Sequence, residues 1–336
     1  MANLRANSIV GVGSTNAGVV FDGVTKIKTQ NYFYLQTGNT ENRFPNFAGV
    51  DASSARGVIT GGITPTILNT IDYITISTTG NALDFGDLFE TRSQSASCSS
   101  STRGVIGGGF TPSTVNTIDF ITISSTGNAS DFGDLNVARR VVAGCSSSTR
   151  GVIGGGFTGI TITNTIDYIT ISSAGNAVDF GDLFTGRYAL GACSSRTRGV
   201  FGGGVTPTAS NIIDYITISS TGNASDFGDL TEARHTFAGC SSSTRGLFGG
   251  GSNTIDYITI ASIGNAVDFG DLIQVSQAGC SSSTRGVFGG GYVAPTLLNI
   301  IQYVTILTTG NATDFGDLTQ ARSQLTSFSN GHGGLG

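Results

Sequence analysis

The chain has no tryptophan, a single methionine, two lysines (Lys26 and Lys28) and two histidines in 336 residues. Each scarcity removes a class of function. With two lysines and a net charge of −5 there is no basic stripe to neutralise phosphates, so nucleic acid is not an expected partner. His235 and His332 stand in no spacing that makes a triad or a metal cluster, and no cofactor motif accompanies them, so an enzyme is not expected. The opening stretch, Met1 to Ser8, lacks the apolar core of a signal peptide. No apolar run is long enough to cross a bilayer, so no membrane partner is expected either. Charged residues make up only 12% of the chain while Gly, Ser and Thr abound, a composition that suggests low complexity. The apolar residues nevertheless recur in short β-branched runs, which argues for a packed β structure.

That recurrence is a repeat. Arg-Gly followed by an apolar pair and a glycine run begins at Arg56, Arg103, Arg150, Arg198, Arg245 and Arg285. Asp-Phe-Gly-Asp-Leu follows in step from Asp84, Asp131, Asp179, Asp226, Asp268 and Asp314. The period falls in the range of propeller blades, which helical repeats partly share. The residues decide between them, because Gly triplets and Thr/Ile runs oppose helix. In the unit from Leu135 to Leu183, Val141–Ser146, Arg150–Gly156 and Thr165–Ser172 read as three strands. Ala174-Gly-Asn-Ala then reads as a turn and Val178–Leu183 as a fourth strand. Four short strands per repeat make an antiparallel blade, and six blades closed in a ring leave few open sheet edges. The expected fold is all-β, a six-bladed propeller over residues 41–336 with an extended N-terminal arm over residues 1–40.

The order of motifs resembles the kelch repeat. Arg139, Arg187, Arg234 and Arg322 match its turn arginine, and Gly107-Gly108, Gly154-Gly155 and Gly202-Gly203 match its double glycine. Tyr73, Tyr168, Tyr215, Tyr257 and Tyr303 match its third-strand aromatic, with Phe120 in the remaining copy. The departure is in strand four, where Phe85, Phe132, Phe180, Phe227, Phe269 and Phe315 replace the usual Trp. The wording Ser-Thr-Gly-Asn-Ala-x-Asp-Phe-Gly-Asp-Leu also resembles repeat proteins of phages of aquatic bacteria, cyanophages among them, thought to be virion components. The kelch-like resemblance implies the propeller. The second implies a structural protein of the virion, made in the host cytoplasm, either a tail-fibre or tail-associated component or one that decorates the capsid. An enzyme of the galactose-oxidase-like kind needs clustered Tyr, His and metal ligands that two isolated histidines do not supply.

Ring closure is legible at the ends. A first-strand-like segment occurs seven times, counting Arg43 to Val50 and Arg322 to Phe328, so the tail from Leu325 is expected to overlap blade one and fasten the ring. Asn31 to Gln36 is expected to add a strand to blade one or six.

The repeated side chains read as structural. Cys98, Cys145, Cys193, Cys240 and Cys280 share one phase, and Val50 and Phe328 stand in the same slot in the end copies, so the slot wants an apolar group. Symmetry spaces the sulfurs apart, so buried free thiols are expected. The paired carboxylates of Asp-Phe-Gly-Asp lack the final bidentate Glu of a calcium loop, and turn or Asp–Arg pairing is the preferred reading, with calcium kept as an alternative. Arg103 is expected to pair with Asp119, and Arg150 likewise with Asp167, in the same or the next blade. Gln302 stands in that aspartate slot in the sixth copy, so the pairing is not obligatory there. Phe132 and its equivalents are expected in the core. The Gly-Gly-Gly runs are expected to answer backbone crowding near the axis.

Function is sought where the copies differ. The linker between strands two and three varies most, carries four of the five prolines, and shrinks to Ser252-Asn253 in the fifth copy. The connection after Asp271 is shortened too. Loops on one face are therefore expected to form a ring with a notch at blade five. Ile67, Leu68, Ile160, Ile162, Ser252, Leu297 and Leu298 are the candidate contact residues, either at loop tips facing a protein partner or folded back over the blade rims. The expectation is a rigid binding module present in many copies, joined to other virion proteins through the arm. A host-surface protein or glycan is a further expected partner, and the alternative function is a glycan-binding, lectin-like propeller for host-surface attachment.

Overall fold

The computed structural model describes residues 32–37, 40–45, 55–235 and 237–335. The chain divides into two compact units, residues 1–49 and 50–336. In the first, Tyr32–Thr37 pairs antiparallel with Thr40–Pro45 in a two-stranded sheet. The segment expected to extend a blade thus makes a hairpin with its own neighbour instead. The rest of the expected arm, residues 1–31, and the stretch 46–54 lie outside the described residues.

The second unit contains six antiparallel four-stranded sheets, each in simple up-and-down order. Blade two shows the pattern: Ala96–Ser99, Arg103–Phe110, Thr114–Thr122 and Ser130–Asp134. Blades three to six repeat it with innermost strands Ala143–Ser146, Gly191–Ser194, Phe237–Ser241 and Ala278–Ser281. The innermost strands of neighbouring blades lie side by side around the whole ring, so the unit is a closed six-bladed β-propeller.

Blade one is assembled from both ends of its unit. Its innermost strand is Thr326–Ser329, paired antiparallel with Arg56–Thr60, which pairs in turn with Thr70–Thr75 and that with Leu83–Asp87. The tail fastens the ring as expected.

The core is a run of inter-blade layers. Ile121 and Ile123, at the end of blade two's third strand, are buried beside Phe85 and Leu88 of the preceding blade, while Ile118 is buried with Phe132, Leu135 and Ile153 in the next layer. The third-strand aromatic stands edge-on to the fourth-strand Phe, as in Phe120 and Phe132 with centroids 6.0 Å apart. Phenylalanine here makes the aromatic pair.

Each repeated motif ties one blade to the next. The Arg-Gly arginine stacks on its own blade's third-strand aromatic and reaches across. Arg150 lies 4.3 Å over Tyr168 and donates to the Ile218 carbonyl at 2.9 Å, and Arg103 lies 4.4 Å over Phe120 and donates to the Ile171 carbonyl at 3.0 Å. The glycine that follows it leaves room for a neighbouring sulfur. A Cβ on Gly199 would lie 2.6 Å from Cys145 Sγ. All five cysteines are buried and free. Burial pushes the thiols of Cys98 and Cys280 up to about 12. Phe328 fills the slot in blade one and packs over Gly104.

The expected Arg103–Asp119 pairing does not form. Asp119 is held by Arg92 at 3.3 Å and Asp167 by Arg139 at 2.9 Å. Arg187–Asp214, Arg234–Asp256 and Arg322–Asp72 follow the same rule at 3.0–3.1 Å. The arginine comes from the connection entering each blade, because Arg103 and Arg150 are engaged with aromatic rings on the far side of the sheet. Burial drives the Arg139 guanidinium below its ordinary value, and the charge of Asp167 opposes the shift. In Asp119, burial raises the carboxyl and Arg92 opposes it.

The Asp-Phe-Gly-Asp strand is clipped by the next blade's turn. Asp134 N donates to Asn176 Oδ1 at 3.1 Å, and Gly175 N donates to the Phe132 carbonyl at 2.7 Å. The same clip recurs around the ring, from Asp87 with Asn128 to Asp317 with Asn81. The glycine triplets answer crowding beneath the connections rather than at the axis. A Cβ on Gly108, at φ 64°, would lie 2.6 Å from the Arg139 carbonyl oxygen.

Candidate binding face and axial channel

The linkers between strands two and three share a face with the connections entering each blade. Ser93 bridges Phe110, Arg140 bridges Phe157, Tyr188 bridges Val205 and Ser323 bridges Ile63. Most of the linkers are small hairpins. Ile63 bridges Ile67 and Phe157 bridges Ile162, while in blade six Arg285–Val293 and Thr296–Thr305 extend as one long ribbon.

This pairing decides where the candidate apolar residues sit. Ile67, Leu68, Ile162, Leu297 and Leu298 are half-buried, folded back on their own hairpins. Ile160 alone of the seven is a true tip, 88% exposed. Ser252 is half-buried and donates to Glu232 Oε1 at 2.5 Å, closing the short linker of blade five. The shortened blade leaves the expected notch. A recess of about 490 Å³ lies between Asn253, the Ile273–Val275 connection and the blade-six ribbon at Val293 and Leu298.

Sequence reasoning missed the axis. On the loop face a funnel of about 440 Å³ is lined by residues from all six blades, among them Gln324, Gln94, Val141, Ala189, His235 and Gln277. Four of the lining positions are equivalent and left-handed: Gln94, Val141, Ala189 and Gln324, with φ of 55–59°. They form a collar of backbone hydrogen bonds between blades. Val141 N donates to the Gln94 carbonyl at 2.7 Å, Ala189 N to the Val141 carbonyl at 2.9 Å and Gln94 N to the Gln324 carbonyl at 2.9 Å. At the shortened connection into blade six a side chain continues the collar, because Gln324 N donates to Gln277 Oε1 at 2.7 Å.

At the other end of the axis a second ring is complete. Ser99, Ser146, Ser194, Ser241, Ser281 and Ser329 each donate Oγ to the carbonyl of the equivalent serine in the preceding blade, at 2.5–2.9 Å. The signal was in the sequence: one serine follows every cysteine slot, Phe328 included. The tail then lies across this ring. His332 Nε2 sits 3.1 Å from the Ser99 carbonyl, Gly334 N donates to His332 Nδ1 at 3.1 Å, and Gly333 and Gly334 pack on the carbonyls of Ser242 and Ser146. These contacts make His332 Nε2 the protonated nitrogen. Burial pulls its pKa down to about 4. Among the described residues the axial channel is thus stoppered on the tail face and open on the loop face.

No protein-family model matches this sequence, and no curated protein matches it. The chemistry of the site therefore rests on its geometry. Among the described residues no three His, Cys, Asp or Glu side chains cluster as metal ligands. The thiols are buried and the strand-three aspartates are each paired or, in blade six, replaced by Gln302. The face that varies between blades is the loop face, and its concave features are the notch and the funnel.

Proposed function

We propose that this protein is a non-catalytic binding module, a stiff six-bladed scaffold that presents its loop face to a partner and is carried in many copies on a bacteriophage particle. The observation that carries the binding reading is the division of labour around the ring. The repeated Arg, the third-strand Asp, the Cys, the Ser99-type serines and the Asn81-type asparagines are engaged between or within blades, whereas Asp84 and its equivalents on the fourth strand are exposed. Residues that differ from blade to blade, Ile160, Tyr292, Val293 and Ile273 among them, are exposed on the loop side. The kelch-like order of motifs and the phage-like repeat wording support the particle setting, as a tail-associated or capsid-decorating component joined to other virion proteins through residues 1–40. Cryo-electron microscopy of purified particles tests it. A six-bladed ring resolved on the shell or tail is the expected result, and particles that carry no such ring overturn the proposal.

A further inference from the structure

The four left-handed collar residues hold a signal that their backbone role does not explain. All twenty-five other described residues with positive φ are glycines. Glycine adopts this conformation without the steric cost that any side chain brings, and a β-branched residue such as Val141 is the least suited to it. The chain places glycine at these other positions and keeps Gln, Val, Ala and Gln at the funnel mouth. The side chains there are retained for what they present to the funnel.

What they present is two-sided. In ring order, Gln277, Gln324 and Gln94 of blades six, one and two form one continuous amide sector. Gln94 Nε2 donates to Gln324 Oε1 at 2.9 Å, while Gln94 Oε1 is buried and takes no hydrogen bond from the protein. Opposite stand Val141, Val142 and Leu190 of blades three and four, with Tyr188 beside them. Among the described residues no Asp, Glu, Lys or Arg lines the funnel, and His235 is its one imidazole. Stoppered by the tail, it receives a group only from the loop side. A ligand that matches is neutral, has one edge that both donates and accepts hydrogen bonds, and has one apolar face. An ammonium group finds no counter-charge there, and a carboxylate finds no Lys or Arg among the described residues.

We propose that the funnel binds a neutral saccharide residue, its hydroxyl edge on the Gln94–Gln324–Gln277 amides and its C–H face on Val141, Leu190 and Tyr188. This deepens the binding-module reading and rests on it. The test uses the full chain and ligand-observed NMR with methyl glycosides of glucose, galactose, mannose and N-acetylglucosamine. N-acetylneuraminic acid and an uncharged tetrapeptide serve as comparators. At least one neutral glycoside is expected to bind at concentrations up to about 10 mM. Gln94→Gly and Gln324→Gly should each weaken it about tenfold. Their melting temperatures should not fall, because glycine relieves the left-handed strain. Gln94→Asn, which tolerates the same φ but withdraws the amide, reads the same loss should a glycine variant fail to fold. Ile160→Ser, away from the funnel, should leave binding unchanged. Binding of no neutral glycoside overturns the proposal, as does binding that survives the glutamine variants, or binding of the anionic sugar or peptide alone. A chain found on particles that ignores every glycoside overturns this inference and spares the display reading. One that binds a glycoside yet is missing from every particle does the reverse.

Discussion

Gln302 Nε2 donates to the Gln274 carbonyl at 2.6 Å and to Ser276 Oγ at 2.8 Å, in the slot where the other five blades bury an aspartate. Gln302 Oε1 accepts from Ile273 N at 2.6 Å. The arginine and the aspartate are absent from this blade together. The connection into blade six is shortened and carries Gln274 where the others carry Arg92 or Arg139. A buried ion pair removed as a unit and replaced by a satisfied amide costs little, whereas removing one partner strands a charge. Gln302→Asp is therefore expected to destabilise the fold by about 3–5 kcal/mol, and Arg139→Ala by a similar amount. Urea unfolding measures both. A Gln302→Asp protein as stable as its parent contradicts the argument.

The five thiols should be silent in the native protein. Each is buried between an inner strand and the next blade's glycine, and burial holds Cys98 and Cys280 near 12, where the thiolate is scarce at neutral pH. A thiol-exchange reagent at pH 8 is expected to titrate no cysteine in the folded chain and all five in denaturant. Rapid labelling of any cysteine under native conditions would show that its inter-blade packing is wrong.

The fold was legible because its local signals agree: short β-branched strands, Gly-Asn turns and a blade-length period. The seventh first-strand segment pointed to the closure that Thr326–Ser329 performs. Partner choice was not legible. Arg103 and Asp119 are both repeated and oppositely charged, but side chains alternate across a strand, and only the three-dimensional register shows Arg103 over Phe120 and Arg92 beneath Asp119. The funnel was hidden for a related reason. Gln94, Val141, Ala189 and Gln324 share no chemistry, so no motif marks them, and their left-handed backbone is visible only in the structure.

Ring closure predicts two different outcomes for two truncations. Removing residues 326–336 takes away blade one's innermost strand and the Ser329 link of the serine ring. It exposes the edge at Arg56–Thr60, and the product is expected to associate or aggregate rather than remain a monomer. Removing residues 331–336 leaves the strand and takes only the stopper. That chain should stay folded, with faster hydrogen exchange at the inner-strand amides near Ser99 and Ser146. Size-exclusion chromatography and exchange mass spectrometry read the two results. A monomeric product of the longer truncation with an unchanged melting temperature rules out this mode of closure.

The stopper also gives the fold a pH dependence whose sign follows from His332. Its pKa is about 4 in the folded protein, against an ordinary 6.5. The folded state therefore disfavours the protonated ring. Above pH 6.5 the ring is neutral in both states and its contribution is intact. As pH falls from there toward 4 the unfolded chain takes up a proton that the folded chain refuses, and stability is lost across that window. Complete loss amounts to at most about 3 kcal/mol. Protonation also places a hydrogen on Nδ1, which accepts from Gly334 N, so the last turn is the first part to release. His332→Gln, which has no titration in this range, should flatten the stability profile between pH 6.5 and 4. Melting temperatures of the two proteins measured across that window decide the matter, and parallel curves would remove His332 as the cause.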